Sequence, residues 1–359
     1  MSDDVAGFTD EERALIRSSV RRLLADEWPP LRALEMSDDP QAIRGIWEKL
    51  GEMSVPDLGR DPALGGMREI LLTFEELGRA CCPAPLLGAL VVNLLAAAGV
   101  DIQDDAAAGP GVSAPVAVGF GSFDGDRAAG SVSLGQGLID GSLHFVEGAG
   151  EAARFIALLD DPGGVAIIGS GAGGIAIEPT PALSLPKLAS LHFQDVPVRF
   201  VPAPADLLRD ITQIARLACA SRAVGSAQRG FELVVEHVSA RKQFGQLIGQ
   251  FQAVQHRLVD NLTRLDGARL TLEAAATAHD AQLAEWRTFA DLALAHLSPG
   301  LRQLAIDMHQ LMGAIGYAEE HELPRHFRQI HGNVTRFGGV ARARAEIGAY
   351  LVRPSVQAA

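Results

Sequence analysis

Along the first hundred residues, apolar positions recur at helical spacing. Thr9 and Glu12 have capping-box spacing, and Leu15, Ile16, Val20, Leu23 and Leu24 follow as one predicted helix face. The run REILLTFEELGRA, Arg68 to Ala80, predicts a second helix that ends at a Cys-Cys-Pro-Ala-Pro break. LLGALVVNLLAAAGV, Leu86 to Val100, reads as a buried helix, interrupted by Asn93 and too short to span a bilayer. From about Ser113 the texture changes. Short apolar runs (PVAVGF, SLHFVEG, RFIALL, GVAIIG, GIAIEP) alternate with Gly, Asp and Pro, which predicts a compact antiparallel β domain. Beyond VPVRFVPAPAD the helical period returns over Ile211–His237, Phe251–Ala278 and Trp286–Met312, lengths typical of bundle helices. The expected organisation is α+β without internal repeats: a helical domain at 1–112, a β domain at 113–203 and a four-helix bundle at 204–359.

Composition narrows the partners. With 48% hydrophobic and 21% charged residues over 359 positions, the chain is globular and long enough for two or three domains. A net charge of -13 argues against nucleic acid, which needs a positive surface. The three cysteines, Cys81, Cys82 and Cys219, build neither a disulfide framework nor a metal spacing. The acidic start, MSDDVAGFTDEE, has no apolar signal core, so a cytoplasmic protein is expected, with no membrane partner.

Several motifs are decoys. Gly169, Gly171 and Gly174 fit G-x-G-x-x-G after a strand-like VAII. A dinucleotide site needs a helix N-terminus next, and here IAIEPTP follows, with Pro179 and Pro181 preventing one. The glycines predict a hairpin turn. His309, His321, His326 and His331 lack metal-ligand spacing, so no metal is expected. The Cys81–Cys82 pair reads as packing, since neighbouring residues at a helix end point different ways.

The segment RKQFGQLIGQFQAVQHRLVD carries the strongest signal. It resembles the R-x-x-F-G-x-x-I-x-x-F-Q segment of the acyl-CoA dehydrogenase family, with every fixed letter present. FEELGRACCPAP, LHFQDVPVRFVP, ARLACASRAVGSAQRG and HQLMGAIGYAEEHEL resemble further family segments in the same order, so the likeness covers nearly the whole chain. Such enzymes hold FAD and oxidise an acyl-CoA thioester to its 2,3-enoyl product. A carboxylate takes the α-proton while the β-hydrogen leaves as hydride to the flavin. The resemblance implies that Arg241 clamps the FAD pyrophosphate, Phe244 lies against the adenosine half and Gln252 hydrogen-bonds near it. Gln310 and the turn Gly313-Ala314-Ile315-Gly316 would let backbone approach the adenosine diphosphate, with Ala314 where the family usually has a second glycine. In the family these contacts reach across a dimer interface, to a flavin held mainly by the neighbouring subunit. Electron-transfer flavoprotein is the expected redox partner.

The contacts a subunit makes to its own flavin are missing. No T-E-x-x-x-G-S-D run occurs in VAVGFGSFDGDRAAGS, and the family's W-I-T corresponds to His144-Phe145-Val146, whose valine neither donates nor accepts. The two places where family members carry the catalytic glutamate hold Ala215 and Phe337. Glu232, Glu236, Glu319 and Glu320 are expected in surface or ion-pair roles. The resemblance therefore implies a base-less subunit that completes the FAD site of a homologous partner in an α2β2 enzyme acting on an acyl-CoA, possibly a steroid-derived one. Two other readings stay open: a homotetrameric dehydrogenase with a relocated base, and a non-enzymatic acyl-CoA or interaction protein on the same scaffold.

Overall fold

The predicted capping box opens the first helix, α1 (Asp10–Glu27): Thr9 Oγ1 accepts from the Glu12 amide at 3.2 Å, and Glu12 Oε2 accepts from the Thr9 amide at 2.7 Å. The structure, a computed structural model, describes residues 8–30, 32–102, 114–121, 130–180 and 187–352. The expected boundary at 112–113, Pro181 and the whole stretch SFDGDRAA lie outside them. Val20 and Leu24 of α1 are buried, but Leu15 is 66% exposed. It precedes Leu24 by nine residues, which puts it on the opposite side of a 3.6-residue helix.

Two short helices, α2 (Ala33–Met36) and α3 (Pro40–Glu52), lead to α4 (Met67–Arg79) and α5 (Leu86–Ala97). On α5, buried Asn93 is satisfied by the carbonyls of Pro56 and Leu58 at 2.7 and 2.9 Å. Buried carboxylates on α4 draw α1 onto it, Glu69 with Arg13 at 2.7 Å and Glu76 with Arg21 at 2.8 Å.

Among the described residues the β domain forms two four-stranded sheets. One has the order β1 (Val116–Phe120), β4 (Arg154–Leu159), β5 (Gly164–Gly169), β8 (Arg199–Pro202). The other runs β2 (Gly130–Gly135), β3 (Leu138–Glu147), β7 (Leu188–Pro197), β6 (Ile175–Pro179). All pairs are antiparallel except β1–β4, which is parallel. In the first sheet, β1, β4 and β5 are buried on both faces, while β8 is partly exposed. Val116, Val118, Ile156, Leu158, Val165 and Ile167 join the helical core, while Ala117, Phe155, Ala157, Ala166 and Ile168 face the second sheet. That explains why RFIALL and GVAIIG are continuously apolar rather than alternating. The glycines at 169–174 are not a hairpin turn: they carry the chain from β5 in one sheet to β6 in the other. At Gly174 (φ +86°) a Cβ would meet the Gln194 carbonyl oxygen at 2.2 Å.

The carboxy-terminal part has five helices where four were expected: α6 (Ala205–Ala240), α7 (Gln252–Asp280), α8 (Trp286–Met312), α9 (Leu323–Thr335) and α10 (Gly339–Leu351). Positive φ at Phe337, Gly338 and Gly339 splits the last segment in two. Helices α4 and α6 cross backbone to backbone, since a Cβ at Gly78 would lie 1.9 Å from the Arg222 carbonyl oxygen and one at Gly225 1.8 Å from that of Glu75. Among the described residues no helix is long and apolar enough to cross a membrane.

Candidate functional site

The motif residues lie at one end of the bundle. Helix α6 stops at Arg241, whose amide bonds to the His237 carbonyl at 2.9 Å. A tight hairpin of β9 (Lys242–Gln243) and β10 (Gln246–Leu247) follows, with Phe244 and Gly245 at φ +54° and +82°. Phe244 projects 91% exposed, edge-on to Phe251 at 6.2 Å. The Arg241 side chain is exposed and has no partner among the described residues, and Gln252, the first residue of α7, is exposed too. Asp307 of α8 meets Arg257 and Arg264 of α7 at 4.0 and 3.3 Å, so the first half of α7 lies beside the end of α8. There Gln310, Gly313 and Ala314 are exposed. Gly313 needs glycine for its φ of +64°, with open space where a Cβ would stand. Gly316 is buried, and a Cβ there would meet Met312 at 2.8 Å, so its glycine serves packing. What this end presents outward is a planar cation, a flat ring and amides, a set that suits a pyrophosphate and an adenosine. The same elements carry exposed apolar side chains: Val259 and Leu262 on α7, Ile306 on α8, and Ile315 and Tyr317 in the turn that follows it.

The other expected site, on the chain's own β domain, does not suit a flavin ring. Val146 is fully buried in the core between the sheets. A bulge between Leu143 and Val146, with Phe145 at φ +58°, turns it inward. His144 pairs its Nδ1 with Ser190 Oγ across the strands at 2.9 Å. Ala215 is fully buried within the helical core. Phe337 packs edge to face on Phe120, ring centroids 4.7 Å apart.

Beside these positions, sequence reasoning missed a buried ion triad. Glu147 bonds Arg222 through both oxygens at 3.0 Å and Arg336 at 2.8 Å. Burial alone would push Glu147 up, yet the two guanidinium groups hold it below the usual carboxylate range. The available signal was a single charge inside each of two apolar runs, SLHFVEG and ACASRAVGSA.

A cleft of about 550 Å3 opens between α6, α8 and α10, lined among others by Arg209, Gln213, Asp291 and Arg342. Its floor is the buried Arg216–Asp291 pair at 3.0 Å. Burial raises Asp291 and lowers Arg216. Between Arg216 and Phe337 only about 10 Å3 remains, room for about one water.

The remaining candidates have structural roles. Glu232 holds Arg79 at 2.5 Å, Glu236 approaches Arg229 at 3.4 Å, Glu319 pairs with Arg328, and Glu320 is exposed. Cys81 and Cys82 are buried and free, with burial pushing both thiols up to about 12. Cys81 Sγ lies 3.2 Å from Nδ1 of buried His326, while His309 stacks on Tyr317 at 4.7 Å and His331 on Phe327 at 4.2 Å. His321 accepts from the Leu323 amide at 3.1 Å. Among the described residues no three His, Cys, Asp or Glu side chains gather as a metal site would require.

Helices flanking a two-sheet β domain are the architecture of a family of FAD-dependent oxidoreductases that act on acyl thioesters. Residues 9–107 match the model described as acyl-CoA dehydrogenase, N-terminal domain, and residues 207–348 the one for the C-terminal domain; the chain belongs to the acyl-CoA dehydrogenase family. FAD is the cofactor of that family. Acyl-CoA dehydrogenase IpdE2 of Mycobacterium tuberculosis is 29% identical over 90% of this chain and 92% of its own length. Among solved structures, a variant of the Tcur3481–Tcur3483 steroid ACAD superposes with a TM-score of 0.83 at 24% identity, covering 95% of this chain and 98% of that one. The ChsE4–ChsE5 complex from Mycobacterium tuberculosis gives 0.81 at 22% identity, covering 96% and 98%.

Proposed function

We propose that this chain is the base-less subunit of a heteromeric, FAD-dependent acyl-CoA dehydrogenase, and that its bundle end completes the FAD site of a homologous partner, as α2β2. In this reading the units at 1–112, 113–203 and 204–359 are those of a dehydrogenase protomer. Arg241 would take the pyrophosphate, Phe244 and Gln252 the adenosine side, and Gln310 with Gly313, Ala314 and Gly316 the backbone approach. The observation that carries the reading is an asymmetry. Apart from buried Gly316 the outward set is exposed, and Arg241 has no partner among the described residues, whereas Val146 and Ala215 are buried and Phe337 is half-buried against Phe120. The apolar Val259, Leu262, Ile306 and Ile315 beside that set give a partner subunit something to cover. Bound FAD would accept the β-hydrogen as hydride, and the partner would supply the carboxylate for the α-proton. Likeness to the steroid ACAD supports a ring-bearing acyl-CoA as substrate, and electron-transfer flavoprotein would reoxidise the flavin.

The test is co-expression with a homologous subunit that carries the glutamate. The pair is expected to purify yellow, with one FAD per two unlike chains, and to dehydrogenate acyl-CoA, while this chain alone is colourless. Stoichiometric FAD in a homo-oligomer of this chain would overturn the proposal.

A further inference from the structure

We propose that Glu147, Arg222 and Arg336 form a clasp that closes this chain's own crevice, between β domain and bundle, against a flavin ring. The inference deepens the partner-subunit reading and rests on it. The three residues come from three places: the end of β3, the middle of α6 and the turn between α9 and α10. Their side chains are 3%, 0% and 6% exposed. Each neighbours a position where a ring or a base would be needed. Glu147 follows Val146, Arg336 precedes Phe337, and Arg222 lies two turns from Ala215 on the same side of α6.

One carboxylate holds two guanidinium groups, so removing it would leave two buried charges unmatched, and the three stand or fall together. Packing reinforces the bonds. Arg222 lies over the Phe74 ring at 5.1 Å and Arg336 over that of Phe337 at 4.9 Å. Arg336 Nη2 also donates to the Phe145 carbonyl at 3.3 Å. An independent observation concerns the backbone. Phe145 and Phe337, on either side of the clasp, sit at φ +58° and +54°, which bulky side chains avoid unless their surroundings hold them there. The clasp bonds both segments, and in this proposal Arg336 and the Phe337–Phe120 contact take up the volume a ring would need.

The test titrates the lone full-length chain with lumiflavin, the isoalloxazine ring without its adenosine half, and follows its fluorescence. The unmodified chain is expected to leave the signal unchanged; saturable quenching overturns the clasp. Arg336→Gly combined with Phe337→Gly empties the crevice and leaves Glu147 and Arg222 matched one to one. This variant is expected to bind lumiflavin at least about tenfold more tightly. A folded double variant that does not bind overturns the proposal. If that variant shows no cooperative unfolding, hydrogen exchange on the unmodified chain decides. The amides of Val146 and Glu147 are expected to exchange at least about 100-fold more slowly than those of the exposed hairpin at Gln243 and Gln246, and equal rates overturn the clasp. With neither partner nor adenosine present, these results are unaffected if the partner-subunit reading fails; that reading falls on the FAD content of the co-expressed pair.

Discussion

Replacing Arg241 by alanine separates grip from fold. The backbone at this position is held independently of the side chain, by the amide bond to His237 and by the Ile248 amide donating to the Arg241 carbonyl, both at 2.9 Å. The guanidinium is exposed and touches no described partner, so its loss should change stability by no more than ~0.5 kcal/mol. Two charge-assisted hydrogen bonds to a pyrophosphate, each worth about 1.5 kcal/mol, sum to about 3 kcal/mol, or roughly a 100-fold weaker FAD affinity. Arg241→Lys keeps the charge but not the fork, and should lose about half of that, near tenfold. The assay is FAD titration of the stripped heteromeric complex by flavin fluorescence, with melting curves on the same samples and Glu48→Ala as a distant exposed control. FAD affinity within about twofold of the parent for a well-folded Arg241→Ala complex would refute the assignment.

Other outcomes follow from the packing and the buried charges. Gly225→Ala should destabilise by about 2 kcal/mol or more, because the Glu75 carbonyl 1.8 Å from the new Cβ outweighs the gain of about 1 kcal/mol in helix propensity. Gly45→Ala, on α3 with nothing within 4 Å, should stabilise by up to about 1 kcal/mol, and denaturant midpoints compare the two. Acid should weaken the fold in two stages. Burial lowers the pKa of His326 from its ordinary 6.5, so unfolding takes up a proton and stability falls as pH drops below about 6.5. Glu322 is held at about 2: burial opposes its ionisation, but His326 and Arg229 outweigh it, so its contribution is lost between pH 4.5 and about 2. Glu322→Gln should flatten that second stage in melting temperature against pH. Cys81 and Cys82, pushed up to about 12, should resist a thiol reagent at pH 8 in the native chain and react on unfolding, measured by thiolate release.

Local chemistry was enough to read the order of the three parts, the capping box at Thr9 and Glu12, and the turn after α6 that carries Arg241 and Phe244. Periodicity, caps and glycine positions act over a few residues, so the chain states them directly. Burial is different, because it depends on what a distant segment brings. Leu15 has the character of a core residue yet faces outward, and β1 pairs parallel to β4 although its composition would serve either direction. The glycines at 169–174 join two sheets, and the neighbouring strand crowds Gly174, neither of which the motif could reveal. Glu147 finds Arg222 75 positions away and Arg336 189 away. A charge inside an apolar run is costly until its partners arrive, and only the folded chain decides which partners those are.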